Sequence, residues 1–220
     1  MIDDLDRGTP GASARREYQR RHDNRERRLR ERYGAVGVVL GRLRGDPQTT
    51  ENWRRGADGE AQAARRLEKL LAGTGVVLLH DRRMPKSRAN IDHLAIGPAG
   101  ITVIDPKSYK GRVRVERRGG LFSARTEHLV VGGRDRTKLV EGMLRQVEAV
   151  QRAVGDGVSV SGALCWMQTG ELPLLRRLEA RGVAIAGPRR MARLAARPGS
   201  LGAAEIVALA VEIARRFPPA

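Results

Sequence analysis

The chain has 220 residues, 42 Lys and Arg against 25 Asp and Glu, a formal charge of +17, and 40% hydrophobic residues. That length fits one core with an appendage and excludes a multidomain assembly. The single cysteine, Cys165, excludes a disulfide framework and a cysteine-built zinc site within one chain.

No run nears the roughly 18 apolar residues of a membrane span, and the acidic residues 1–6 lack the apolar stretch of a secretory signal. A cytoplasmic protein without a membrane partner is expected. The positive excess attracts polyanions, which makes nucleic acid the first partner to test. Of the 42 cations, 37 are Arg, so a compositional bias toward Arg explains the charge equally well.

In chain order, residues 12–33 hold nine Arg against four acids and few apolar side chains. Opposite charges three or four apart support a helix there, but no stripe is wide enough to dock it firmly, so a mobile basic arm or an exposed helix is expected. A short apolar patch at 34–44 and a Gly45-Asp46-Pro47 linker follow. Residues 1–50 thus read as an arm with its linker, and 51–220 as the main domain.

Within 56–71, Glu60, Ala64, Leu67 and Leu71 fall on one helical face, which turns one carboxylate inward in the expected first turn. A strand at 76–79 and a basic loop at 82–88 come next. Residues 90–96 and 101–107 form two strands joined by the tight turn Gly97-Pro98-Ala99-Gly100. Short strands are expected at 112–116, 121–124 and 128–131, a helix at 137–154, strands at 158–167 and 183–186, and helices at 189–196 and 203–217. That order suggests an α/β core with a mixed central sheet flanked by helices.

The hairpin carries the chemistry. A turn centred between Pro98 and Ala99 makes facing residue numbers sum to 197, so Asp92 opposes Asp105, and Lys107 lies on the same face. Their face-mates Leu94 and Val103 offer no charge. Two carboxylates this close repel by roughly 3–4 kcal/mol at an effective dielectric of 20, so a positive group belongs between them. Oxygen ligands suit Mg²⁺ or Mn²⁺ rather than zinc, and Glu60 is a further candidate ligand. Lys107 could instead be the compensating charge of a purely structural ion cluster. His93 falls on the opposite face and reads as a packed histidine.

Taken together, Gly56-Ala57-Asp58-Gly59-Glu60, then Asn90-Ile91-Asp92-His93-Leu94, then Gly97-Pro98-Ala99-Gly100, Val103-Ile104-Asp105-Pro106-Lys107 and Tyr109-Lys110-Gly111 resemble the nuclease-related domain (NERD) family. This is a branch of the PD-(D/E)xK nuclease superfamily. The resemblance covers roughly residues 53–154. It implies a restriction-endonuclease-like core in which Asp92, Asp105 and Glu60 bind a divalent metal and Lys107 orients or activates the attacking water. The implied reaction is hydrolysis of a nucleic-acid phosphodiester. Pro106 departs from a regular strand, because it cannot donate to a ladder, and leaves the direction of Lys107 open.

Arg82, Arg83, Lys86 and Arg88, before Asp92, and Lys110, after Lys107, are candidate phosphate contacts. Few aromatic side chains are present to stack single strands, which favours a duplex, and DNA is expected as the partner over RNA. The competing readings on the same fold are a nucleic-acid-binding module without catalysis and a protein-interaction domain.

Overall fold

A computed structural model describes residues 5–43, 48–87, 89–120, 123–168, 171–173 and 177–220, with the side chains of 35–55 and 123–124 outside the description. Two helices, α1 (Ala12–Leu43) and α2 (Gln48–Leu71), lead into three antiparallel strands: β1 (Val77–Arg83), β2 (Asn90–Gly97) and β3 (Gly100–Lys107). A three-stranded excursion, β4 (Val113–Gly120), β5 (Ser123–Val131) and β6 (Arg134–Asp135), precedes α3 (Thr137–Val154). The chain closes with β7 (Val160–Trp166), β8 (Leu178–Ala180), β9 (Val183–Ala186), α4 (Pro188–Ala195) and α5 (Ala203–Arg216).

The main sheet has the order β1-β2-β3-β7-β9-β8. Strands β3, β7 and β9 run parallel, while β1, β2 and β8 are antiparallel to their neighbours. This is the expected mixed α/β sheet flanked by helices. Its two faces pack separate cores. Leu94, Val103, Leu164 and Trp166 join the buried stripes of α3 (Val140, Met143) and α5 (Ile213). On the other face, Ala95, Ile104 and Cys165 meet Leu67 and Leu71 of α2 and Met191 of α4. Six consecutive residues of β3, Gly100 to Asp105, are buried, as a strand covered on both faces requires.

The 137–154 helix and the 183–186 strand fall where the apolar patterns put them. The strand expected at 76–79 extends to Arg83, and the short strands at 121–124 and 128–131 belong largely to the single strand β5. Strand β8 is additional: three residues carry too little pattern to stand out. The 51–220 domain boundary falls inside α2, which begins at Gln48. Residues 45–47 lie outside the described residues.

The N-terminal segment, expected as a mobile arm or an exposed helix, is a helix whose start is seated on the sheet. Strand β1 is a sheet edge, and both ends of the chain cover it, which removes an unpaired edge from solvent. His80 N donates to Arg7 O at 2.7 Å, Arg83 N to Pro218 O at 2.9 Å, and Ala220 N to Asp81 O at 2.9 Å. Gly8 has φ +73, and a Cβ there would overlap the His80 carbonyl, so the close approach needs glycine. Helix α1 then starts with Ala14 buried. Its docking rests on this main-chain pairing and on Ser13 bonded to Asp81, and not on an apolar stripe, which is why periodicity missed it. Among the described residues no helix is long and apolar enough to cross a membrane.

Candidate active site at the end of the mixed sheet

The hairpin register is the expected one: His93 pairs with Ile104, Leu94 with Val103 and Gly97 with Gly100. Gly100 pins it. Its φ is +105, and a Cβ would overlap the Ser159 carbonyl, so neither the conformation nor the space admits another residue. Continuing that register sets Asp92 opposite Asp105.

Pro106 does not disturb β3. Ile101 N donates to Ser159 O, so the odd-numbered amides of β3 face β7 and the even-numbered ones face β2. Pro106 therefore lacks its N–H on the β2 side, where the β2–β3 ladder has already ended at His93 and Ile104. On the β7 side the pairing runs unbroken to Lys107 opposite Trp166. The lysine direction left open by the sequence is thereby decided, and the Lys107 Nζ is ion-paired with Asp105 Oδ1.

Electrostatics bind the four groups into one cluster. The carboxyl of Asp92 is pushed well above the usual range. Burial is the main cause, followed by the charges of Asp105 and Glu60. Glu60 is raised to about 7 by burial and then by Asp81 and Asp105. Burial alone would lower the pKa of Lys107, but Asp105 and Asp92 outweigh it and hold the ammonium charged. Glu60 lies deep within α2, about two turns before Leu67, and not in the expected first turn. Complementing the helix dipole therefore does not explain it.

One acid of the neighbourhood escaped the sequence reading. Strand β1 pairs His80 with His93 and Arg82 with Ile91, which leaves Asp81 opposite Asp92. Asp81, Asp92 and Asp105 thus form a row across three strands. Asp81 has φ +47, and its carboxylate accepts Ser13 N at 2.6 Å, Ser13 Oγ at 2.7 Å and Asn90 Nδ2 at 3.2 Å. It anchors the start of α1 beside the site. Extending β1 past Leu79 in the sequence would have revealed it.

Arg82, expected as a phosphate contact in a loop, is a correction. It lies in β1, fully buried, and its guanidinium donates to the carbonyls of Phe217, at 3.3 Å, and Asp6. It clamps the two ends of the chain to the edge strand and has no surface to offer a ligand. Arg83, Lys86 and Lys110 are exposed, while Arg88 lies outside the described residues.

His93 is fully buried, as a packed histidine should be, and its Nδ1 lies 2.9 Å from the Nδ1 of His80. His80 in turn reaches Glu68 at 3.2 Å. That pairing crosses two strands and has no signal in residue spacing. Tyr109 packs on Trp166 with ring centroids 6.0 Å apart and carries the Arg136 guanidinium 4.8 Å above its face, so it closes the β3 end of the site.

The donor set is all carboxylate oxygen, which suits a hard divalent cation. Among the described residues no three His, Cys, Asp or Glu side chains are gathered around one point as they stand. Asp92 and Asp105 face each other across the hairpin, and Lys107 holds Asp105. A cation bound beside them would relieve the repulsion that, after burial, raises Asp92 and Glu60, so the residues fit such an ion.

Comparison with curated proteins and with solved structures returned no match. The family model described as the nuclease-related domain matches residues 55–167, a span that takes in Glu60, the acid row and Lys107. With just over half of its length matched, and with the mixed sheet and hairpin register in place, the chain belongs to the nuclease-related domain family.

Proposed function

We propose that the protein is a metal-dependent nuclease that hydrolyses phosphodiester bonds of nucleic acid, with DNA favoured over RNA. The observation that carries this reading is the local charge shortage at the strand ends. Asp92, Asp105 and Glu60 face the Lys107 ammonium, with Arg15 acting in addition on Glu60 alone, in a chain that has 42 cations to offer.

Asp92 and Asp105, with Glu60 beside them, would hold Mg²⁺ or Mn²⁺. When bound, such an ion polarises a phosphoryl oxygen and lowers the pKa of water. The protein's own groups do the rest. Leu94 and Val103 form an apolar floor that keeps water away from the carboxylates and strengthens every charge interaction above it. The Lys107 ammonium, held on Asp105, is positioned to oppose the negative charge that grows on phosphoryl oxygens. Lysine suits that task as a compact point charge on a mobile stem, and only five are present among 42 cations.

A nucleic-acid-binding module without catalysis is the second reading. The ion pair that already ties Asp105 to Lys107 and the absence of a three-ligand cluster among the described residues favour it. Supercoiled plasmid incubated with Mg²⁺ or Mn²⁺ separates the two. Nicking that needs the metal and disappears in a folded Asp105→Ala variant is the expected result. Retarded but uncut plasmid selects the second reading.

A further inference from the structure

Three cavities distinguish themselves by charge. The largest, about 690 Å³, is bordered by Arg117, Arg125 and Arg181, but Glu127 and Glu141 stand among them. Glu127 pairs with Arg117 and Glu141 with Arg181, so two of its three arginines are neutralised from within.

The other two adjoin the acid row and differ in kind. One, about 440 Å³, is walled by Ser13, Arg16, Glu17 and Arg20 of α1 on one side and by Arg83 and Asn90 on another. The spacing 13, 16, 17, 20 is a single helical face, so the first turns of the basic helix are turned toward this cavity. The second, about 460 Å³, shares Arg83 and adds Lys86 and Arg216. Five cations line the pair of cavities; Arg20 is paired with Glu17 and Arg216 with Glu212, which leaves Arg16, Arg83 and Lys86 without an acidic side-chain partner among the described residues. Ser13 and Asn90, at the inner end, both donate to Asp81, and Asn90 precedes Asp92 by two residues on the same strand.

We infer that these joined cavities are a track for the phosphodiester backbone of nucleic acid. It is walled by α1, the β1–β2 loop and the end of α5, and it leads to the acid row. The role rests on the nucleic-acid reading of that row and gives two elements outside the family match, α1 and α5, a part in binding. A backbone fits because it offers a line of single negative charges, which cations spaced along a groove neutralise without reading sequence. The docking of residues 5–14 on β1 holds the track in place, so the basic segment is a fixed wall.

The test measures binding without cutting. Fluorescence anisotropy of a labelled 20-base-pair DNA duplex, and of an RNA duplex of the same sequence, is followed in EDTA over a salt series. In the Arg20→Ala/Arg83→Ala/Lys86→Ala variant, affinity at 100 mM salt should fall at least about tenfold. The slope of log K against log salt should drop by about 2–3, near 0.9 per phosphate contact. The single variants Arg83→Ala and Lys86→Ala should each lose about one unit of slope. Arg117→Ala/Arg125→Ala/Arg181→Ala removes the same charge from the largest cavity and should change affinity less than about twofold. Equal losses in both triple variants, or none in the first, overturn the track. Polyglutamate bound as tightly as the duplexes, and released by the same substitutions, would overturn it in favour of an acidic protein. A protein whose track variants lose binding but which never cuts sinks hydrolysis alone; one that cuts with an unchanged salt slope sinks the track alone.

Discussion

The two sheets treat the same residue types in opposite ways. On the small sheet each acid has arginines: Glu116 is paired with Arg114 and Arg118, Glu127 with Arg117, and Asp135 with Arg118. Their carboxyls are held below the usual range. The Arg118 hydrogen bond does so first for Glu116, and the Arg181 amide for Glu127. Asp135 sits at about 2, chiefly through the Thr137 amide. At the end of the large sheet Glu60 and Asp92 are displaced upward, with burial as the first cause and neighbouring acids as the second. A protein of charge +17 does not run short of cations by accident of composition. The shortage is built by strand register, which lines up acids over an apolar floor and brings Lys107 onto their face, with Arg15 acting only on Glu60.

If that contrast is functional, substitutions at the large sheet's end have large effects and those on the small sheet have almost none. Lys107→Met should lower metal-dependent cleavage by about 10²–10³-fold in single-turnover assays, the scale of losing one positioned stabiliser of developing charge. Cleavage within tenfold of wild type would remove Lys107 from the chemistry. Mn²⁺ at about 100 times its dissociation constant should stabilise the wild type by roughly 2.7 kcal/mol, read as a rise in Tm. Asp92→Asn/Asp105→Asn should show no such rise, and an equal rise would place the ion elsewhere.

The metal-free protein should respond to pH through Glu60. Its folded pKa of about 7 lies above the ordinary 4.5, so between those values the folded state holds more protons than the unfolded chain. Its contribution to stability is complete below about pH 4.5 and is lost as pH rises through 7, by roughly 1–3 kcal/mol. Urea unfolding in EDTA at pH 5 and pH 8 should show this fall in wild type and a flatter profile in Glu60→Gln. The smallest effect is expected on the small sheet. Glu127→Gln keeps an oxygen for the Arg181 amide and loses only an exposed ion pair, so its Tm should match wild type. A drop of several degrees would show that the small sheet depends on its charges as the large one does.

Much of the site was legible because it is local. A two-residue turn between Gly97 and Gly100 sets facing residues at once, and alternation then assigns Asp92, Asp105 and Lys107 to a face. Helical spacing turned Glu60 inward without knowledge of where the helix began. The missed features join residues far apart in sequence. Asp81 enters the acid row only when β1 pairs with β2, and Arg82 becomes a buried clamp only when Asp6 and Phe217 reach it from either end. The same holds for the histidine pair, thirteen residues apart on neighbouring strands.

From its residues alone this protein declared a mixed α/β core, a hairpin of known register and a pair of opposed acids beside a lysine. Periodicity and turn geometry act over a few residues and leave a readable trace. Whether the basic helix is loose or seated, whether an arginine meets solvent or carbonyls, and which acids lie near one another were decided by tertiary structure. Those outcomes depend on hydrogen bonds to the main chain of distant segments, and the main chain offers the same groups at nearly every residue whatever its side chain.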